Sequence, residues 1–167
     1  MRRSLLFLFS VTTICLSCKK YNTKAGENVE FYLLKTYQTV TAKCQIDPSV
    51  SILQDTPIIK NYEILAYSKT DYQFKLTEAA IQKVKTFIDT TPFAVTVDKQ
   101  VIYYGFFKPS YSSSSCDHSI TMDLDWTSGN KFTIKLGYPS ALPGVTVDDK
   151  RNDPKLIETL KQQGKLK

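Results

Sequence analysis

Apolar side chains recur at every second position in several short segments, which is the pattern of a half-buried strand. The segment 38–46 is an example, because its even-numbered positions from Val40 to Ile46 are apolar and the positions between them are polar. The segment 101–107 is apolar on both faces, which favours a place in mid-sheet or at a binding edge. The same reasoning predicts further strands at 28–34, 63–67, 72–76, 93–97, 120–126 and 132–136.

Two other segments have helical spacing. Thr77 is a good N-cap, and apolar residues three and four apart follow it over 78–89, until Pro92 ends the element. Asp153 caps a second helix that Gly164 ends. The predicted fold class is therefore α+β. It comprises a mostly antiparallel sheet packed by one central amphipathic helix, plus a C-terminal helix, in a single domain over 28–167.

The chain begins with an export signal. Residues 1–17 combine a basic start with an apolar run over 5–16 that is too short to span a bilayer comfortably. The Ser17-Cys18 step resembles the lipobox of bacterial lipoproteins, and the short ending before Lys19-Lys20 is similar to those of Bacteroidetes lipoproteins. The resemblance implies cleavage before Cys18, lipid on its thiol and a tether over 18–27. The alternative is an ordinary secretory signal with an incidental cysteine.

The resemblance implies a protein that is lipid-anchored to a membrane of the cell envelope and faces the periplasm. The residues after Cys18 carry no acidic surface-export signal, although surface exposure stays open. Cleavage leaves 150 of the 167 residues, with 20 Lys and Arg against 16 Asp and Glu, hence a net charge of +4. This mild, scattered charge argues against a nucleic-acid partner. No cofactor and no metal site is predicted, since four cysteines and one histidine exclude most structural zinc sites.

The predicted location determines which cysteines can form a disulfide. The lipoprotein resemblance implies that Cys15 leaves with the signal and that Cys18 carries lipid, so Cys44 and Cys116 remain. Two thiols in an oxidising envelope indicate one disulfide between them. Two separate buried thiols are the alternative.

Three stretches together resemble the periplasmic P1 head subdomain of the SecD and SecDF translocation proteins. They are the strand VEFYLL at 29–34, the strand-to-helix step FKLTE at 74–78, and the hairpin FAVTVDKQVI at 93–102. The match covers about 28–125, so 131–167 is a C-terminal extension without a counterpart. The resemblance implies a head-like α+β domain outside the cytoplasm. It does not imply proton-driven translocation, because the membrane helices of that family have no equivalent here.

Candidate catalytic residues are few. The loop 108–118 contains a serine run at 112–115 with Asp117 and His118, but a triad needs fixed hydrogen-bond geometry that crowding in one loop does not provide. Asp123 and Asp125 share one face of a strand, where such pairs are usually solvated. The segment Asp89-Thr90-Thr91 resembles the short O-glycosylation site of exported Bacteroidetes proteins.

Aromatic side chains are concentrated near the end of the strand at 101–107. Such residues supply contact area at little entropic cost, so a binding surface is predicted there, with two or three of the residues in the core. The set is Tyr103, Tyr104, Phe106, Phe107 and Tyr111. The sequence therefore favours a non-enzymatic binding or accessory module that acts on an envelope protein. The alternatives are a small hydrolase using 112–125 and an immunity or inhibitor lipoprotein.

Overall fold

The computed structural model of the chain describes residues 26–124, 129–140 and 142–167. The predicted signal peptide, Cys18, most of the predicted tether, Asp125 and Trp126 lie outside these ranges. In the part that is described, no helix is long and apolar enough to cross a membrane.

The described residues form eight strands in one sheet and two α-helices, so the fold class is α+β. The strands are β1 (Val29–Thr36), β2 (Ile52–Leu53), β3 (Ile64–Ser68), β4 (Gln73–Leu76), β5 (Pro92–Val97), β6 (Gln100–Phe107), β7 (Cys116–Asp123) and β8 (Lys131–Tyr138). Their order across the sheet is β2-β1-β5-β6-β7-β8-β4-β3. Every neighbouring pair is antiparallel except β6 and β7, which run parallel in the middle of the sheet. The helices are α1 (Glu78–Val84) and α2 (Pro154–Gln162).

The main core is aromatic at its centre. Phe31 lies edge-on to Phe74 and Phe132, with ring centroids 5.1 and 5.6 Å away. Buried residues of α1 and α2, such as Ile81 and Leu156, belong to the same cluster. Because neighbouring strand residues point to opposite faces, the sheet has a second face, which carries a smaller cluster. That cluster comprises Leu34, Ile46, Ala94, Phe106, Cys116 and Tyr138.

The hairpin between β5 and β6 and the second helix form as predicted. Asp98 and Lys99 both have positive φ, at 49° and 63°, which is the backbone of the tight turns that match the twist of antiparallel strands. At α2, the side chain of Asp153 accepts a hydrogen bond from the Lys155 N–H and caps the helix.

The strand predicted at 38–46 is wrong. The chain turns back there, because the Lys43 N–H donates to the Val40 carbonyl at 2.9 Å and Ala42 adopts a left-handed φ of 59°. Only the bridge between Thr39 and Ile46 has strand pairing. The alternating pattern therefore spans a short folded-back loop, in which Ile46 alone is buried.

The first helix is shorter than the 78–89 predicted. It ends at Val84, where the Thr86 hydroxyl donates to the Lys83 carbonyl and offers the backbone an alternative partner. Phe87 still reaches the core, but Ile88, expected on the apolar stripe, is 74% exposed. The apolar spacing of the sequence extends past the end of α1 because Phe87 packs into the core from the turn that follows the helix.

Gly105 lies where the sheet leaves no room for a side chain. A Cβ at this position would stand 2.6 Å from the Ile120 carbonyl oxygen and 2.6 Å from the Phe93 ring. We expect Gly105→Ala to lower the free energy of unfolding by about 2 kcal/mol or more, the range of overpacked cores, because the clash is partly with backbone. Urea unfolding measures this. Gly129→Ala is the control: its φ of 69° is left-handed, but no atom of the described residues lies within 4 Å of the added Cβ, so its loss should be about 1–2 kcal/mol of strain alone.

Candidate functional site

The sheet splits between its two parallel strands. The ladder of β6 and β7 has three pairs, from Gly105 with Ile120 to Phe107 with Met122. Towards the start of both strands the flanking ladders are bulged. Ile102 is an extra residue in β6 opposite β5, and 117–119 face a single residue of β8. Bulges bend strands and change the direction of side chains, so β6 and β7 diverge over the residues that precede Gly105 and Ile120.

The divergence leaves a backbone donor of β6 without a ladder partner. The Phe107 N–H donates to the Thr91 carbonyl towards β5, while the Lys108 N–H donates to the Met122 carbonyl towards β7. Alternation along the strand therefore turns the Tyr104 N–H towards β7. A continued ladder would pair Tyr104 with Ser119, but pairing stops at Gly105.

A cavity of about 390 Å³ occupies this divergence, and we call it the cleft. Its floor is formed by strand residues, its first wall by the loop at 45–48, and its second wall by the loop at 147–150. The floor comprises Val101, Ile102, Tyr103, Tyr104, His118, Ser119 and Ile120; the walls comprise Gln45, Ile46, Pro48, Val147, Asp148 and Lys150. Most of these side chains are apolar or aromatic, with a few polar groups among them, as in ligand sites.

A disulfide fixes the first wall. Cys44 and Cys116 are joined, with their Cα atoms 5.1 Å apart. Cys116 is the first residue of β7 and lies two positions before His118. The pairing expected from the sequence thus ties the loop of Gln45 and Ile46 to the strand that forms the floor.

Arg151 fixes the second wall. Its guanidinium lies 3.5 Å from the centre of the Tyr72 ring and donates to both Asp149 oxygens, at 2.8 and 2.7 Å. It also donates to the Ile134 carbonyl of β8 at 3.3 Å. The hydrogen bonds from Arg151 hold the pKa of Asp149 below its usual range. The loop that ends in Arg151 is therefore held against the sheet.

His118 lies in the cleft beside Asp117. Its Nδ1 is 2.8 Å from Asp117 Oδ1, and this hydrogen bond lowers the pKa of Asp117. Within the described ranges, no serine hydroxyl is hydrogen-bonded to the His118 ring. A nucleophile and its base must be within hydrogen-bond reach, so the pair does not form a triad.

The serine-rich loop is braced by a buried lysine. Lys108 is fully buried, and its Nζ lies 2.8 Å from Asp89 Oδ1 and 2.7 Å from the Ser114 hydroxyl. The Ser112 and Ser114 hydroxyls donate to Asp89 Oδ2 at 2.9 and 3.0 Å. A base must accept the nucleophile's proton, whereas the Lys108 amine donates to Ser114 and the Ser114 hydroxyl donates to Asp89. The cluster therefore orders the loop, and we assign it no chemistry.

The predicted aromatic surface is only partly accessible. Tyr103, Phe106 and Phe107 are buried, because β6 lies in mid-sheet and has a cluster on each face. Two or three of the five were expected in the core, and these three are buried, although Tyr103 also lines the cleft floor. Tyr111 is 67% exposed on the serine-rich loop, outside the cleft lining, and Tyr104 is half-buried in the cleft floor. The Tyr103 hydroxyl is buried without a hydrogen-bond partner in the described residues.

The other polar candidates lie apart from the cleft. Asp123 forms an ion pair with Lys135 across β7 and β8, and its expected partner Asp125 is outside the described residues. Asp89 belongs to the Lys108 cluster, while Thr90 beside it is exposed. In the described ranges, no three His, Cys, Asp or Glu side chains are grouped so that they could hold a metal ion.

Sequence reasoning missed the cleft. It is built from bulges and from two loops far apart in the chain, and only the unbroken polar run Asp117-His118-Ser119 near the start of β7 could have indicated it. No protein-family model, no curated protein and no solved structure matches this chain. The resemblances to bacterial lipoproteins and to the SecD head stay predictions.

Proposed function

We propose that this chain is a non-enzymatic binding module of the cell envelope and that the cleft takes its ligand. One observation carries the proposal: a sheet opened between β6 and β7 around a cavity of about 390 Å³. Ligand sites of proteins have volumes of about 300–1,000 Å³, so the cleft is large enough for a small molecule or a short segment of a partner.

Both walls of the cleft are fixed before any ligand arrives. The disulfide of Cys44 and Cys116 holds one, and Arg151 with Asp149 holds the other. A preformed site loses less conformational entropy on binding, which favours affinity. This rigidity at the cleft supports a recognition role for the two loops.

Binding without catalysis accounts best for the polar residues. His118 is paired with Asp117, while the Lys108 amine donates to the Ser114 hydroxyl, whose own proton goes to Asp89. In the described residues neither group accepts a proton from a serine, which favours binding over hydrolysis. An immunity or inhibitor lipoprotein would be one form of the proposed binding module.

The envelope location remains part of the proposal. Lipid on Cys18 would anchor the chain, and a disulfide suits an oxidising compartment outside the cytoplasm. We also propose that 28–167 is a head-like domain similar to that of SecD, with α1 as the central helix that packs the sheet. The burial of Ala80, Ile81 and Val84 supports this packing.

Tyr104→Ala should reduce capture of the natural partner about tenfold or more, because truncating a tyrosine hot spot at the centre of an interface costs about 2 kcal/mol or more of binding. The measurement is a crosslinking pull-down from native envelope with the full-length lipidated chain as bait. Tyr62→Ala is the matched control, since Tyr62 is 70% exposed on the turn before β3 and outside the cleft lining. Equal capture by both variants would contradict the proposed site.

A further inference from the structure

We infer that the occupant of the cleft is an extended polypeptide segment, which adds a strand to the free edge of β6. This inference rests on the proposed function and specifies its ligand class. A strand edge offers rows of N–H and C=O groups that pair with another chain, and several recognition domains bind peptides in this way.

The first support is the backbone of the cleft floor. The Tyr104 N–H points towards β7, and the ladder of β6 and β7 ends one residue later at Gly105. On the other side of the cleft, 117–119 stand outside the regular register of β7 with β8. An extended segment alongside 101–104 would give β6 the partner that β7 stops providing.

The second support is that the outer edges of the sheet offer less. The outer edge of β3 is covered by the chain's own end, because the Tyr67 N–H donates to the Lys165 carbonyl and the Lys167 N–H donates to the Tyr67 carbonyl, both at 2.8 Å. At the opposite edge, β2 has only two residues. Within the described ranges, the split therefore holds the free strand backbone that lies beside a cavity.

The cavity indicates which residue the segment carries. Side chains of a strand alternate, so every second residue of the added segment faces the same side of the sheet. The side chains of Ile46, Val101, Ile120 and Val147 make much of the lining apolar. We therefore expect a large aliphatic or aromatic side chain at the central position.

The test is selection of random heptapeptides, displayed on phage, against the full chain with its disulfide intact. The account predicts enriched peptides with a large apolar residue in a fixed place, and at least tenfold weaker binding to Tyr104→Ala than to Tyr62→Ala. Hydrogen exchange of the Tyr104 amide should slow when a selected peptide is added. The amide of Gln54, which is hydrogen-bonded to the Leu33 carbonyl and lies outside the cleft lining, should be unaffected.

N-methylation of the selected peptide at each position in turn tests the strand pairing. Methylation should weaken binding about fivefold at alternate positions only, because one backbone hydrogen bond is worth about 1 kcal/mol and only alternate N–H groups of a strand face β6. The inference would be overturned if the loss of binding did not repeat every second position. It would also be overturned if the exchange rate of the Tyr104 amide did not change or if no peptide was enriched. If Tyr104→Ala still lowers capture of the natural partner, the proposed site stands and the ligand is of another class.

Discussion

Asp89→Asn should lower the free energy of unfolding by about 3 kcal/mol. Lys108 is 0% exposed and relies on the Asp89 carboxylate, 2.8 Å away, for its opposite charge. Breaking a buried ion pair typically costs about 3–5 kcal/mol, because one charge is left buried without compensation. The Asp89 side chain is itself 34% exposed, so solvent weakens the pair and we take the lower end of that range.

Urea unfolding of the two proteins measures this loss. Asp148→Asn is the control: Asp148 is 80% exposed and lies 3.6 Å from the half-exposed Lys150, and surface pairs of this kind contribute at most about 1 kcal/mol. An equal loss in both variants, or none in Asp89→Asn, would show that the Lys108 cluster does not stabilise the fold.

Acid should act on the same pair. Burial raises the pKa of Asp89, but the positive charge of Lys108 and the hydrogen bonds from Ser112 and Ser114 outweigh it and lower the pKa in the folded chain. A carboxylate with a lowered folded-state pKa stabilises the fold above its unfolded pKa of about 3.9, and this contribution is lost as the pH falls below that value. The stability difference between the wild type and Asp89→Asn should therefore shrink as the pH falls through 4 to 2.

Reducing the disulfide should lower the free energy of unfolding by about 4 kcal/mol. The bridge joins residues 72 positions apart, and closing a loop of that length restricts the unfolded chain by about this amount in the chain-entropy model. The measurement is urea unfolding with and without dithiothreitol. In the double variant Cys44→Ala with Cys116→Ala, the reductant should have no effect, which separates this bridge from Cys18. An unchanged unfolding midpoint on reduction of the wild type would contradict the prediction.

Binding should weaken together with stability, because the bridge fixes one wall of the cleft. The reduced protein, kept below its unfolding temperature, should lose part of its affinity for any peptide selected on the oxidised form. Gly105→Ala strains the ladder of β6 and β7 itself, so it tests whether binding also depends on the geometry of these two strands.

Local patterns predicted much of the fold. The apolar patterns of β3 to β6 and β8 and the Asp153 cap of α2 are properties of a few adjacent residues, and these elements form close to their predicted positions. The strand predicted at 120–126 instead begins at Cys116, so 116–118 belong to β7 and not to the predicted loop. The segment 38–46 also alternates, but the left-handed backbone at Ala42 and the bridge at Cys44 depend on tertiary contacts. The same limit applies to Phe106, whose burial depends on which strands flank β6.

The cleft could not be predicted from the sequence. It requires the parallel pairing of β6 with β7, a bulge at Ile102 and another at 117–119, and these depend on registers between strands. Its wall at 147–150 is placed by Arg151, which stacks on Tyr72 far away in the chain. Side-chain alternation does not specify any of these long-range relations. The serine-rich loop, a catalytic candidate from its sequence, is instead ordered by the buried Lys108.

Photo-crosslinking from the rim of the cleft tests the central claim most directly. A photoreactive amino acid would replace Gln45, which is exposed and lines the cleft, and in a second protein it would replace Tyr62 outside it. Both full-length proteins would be irradiated in native envelope. The account predicts a discrete crosslinked product from position 45 that is absent from position 62 and is lost with Tyr104→Ala. Crosslinks of equal yield from both positions, or a product from position 62 alone, would contradict the claim that the cleft is the binding site.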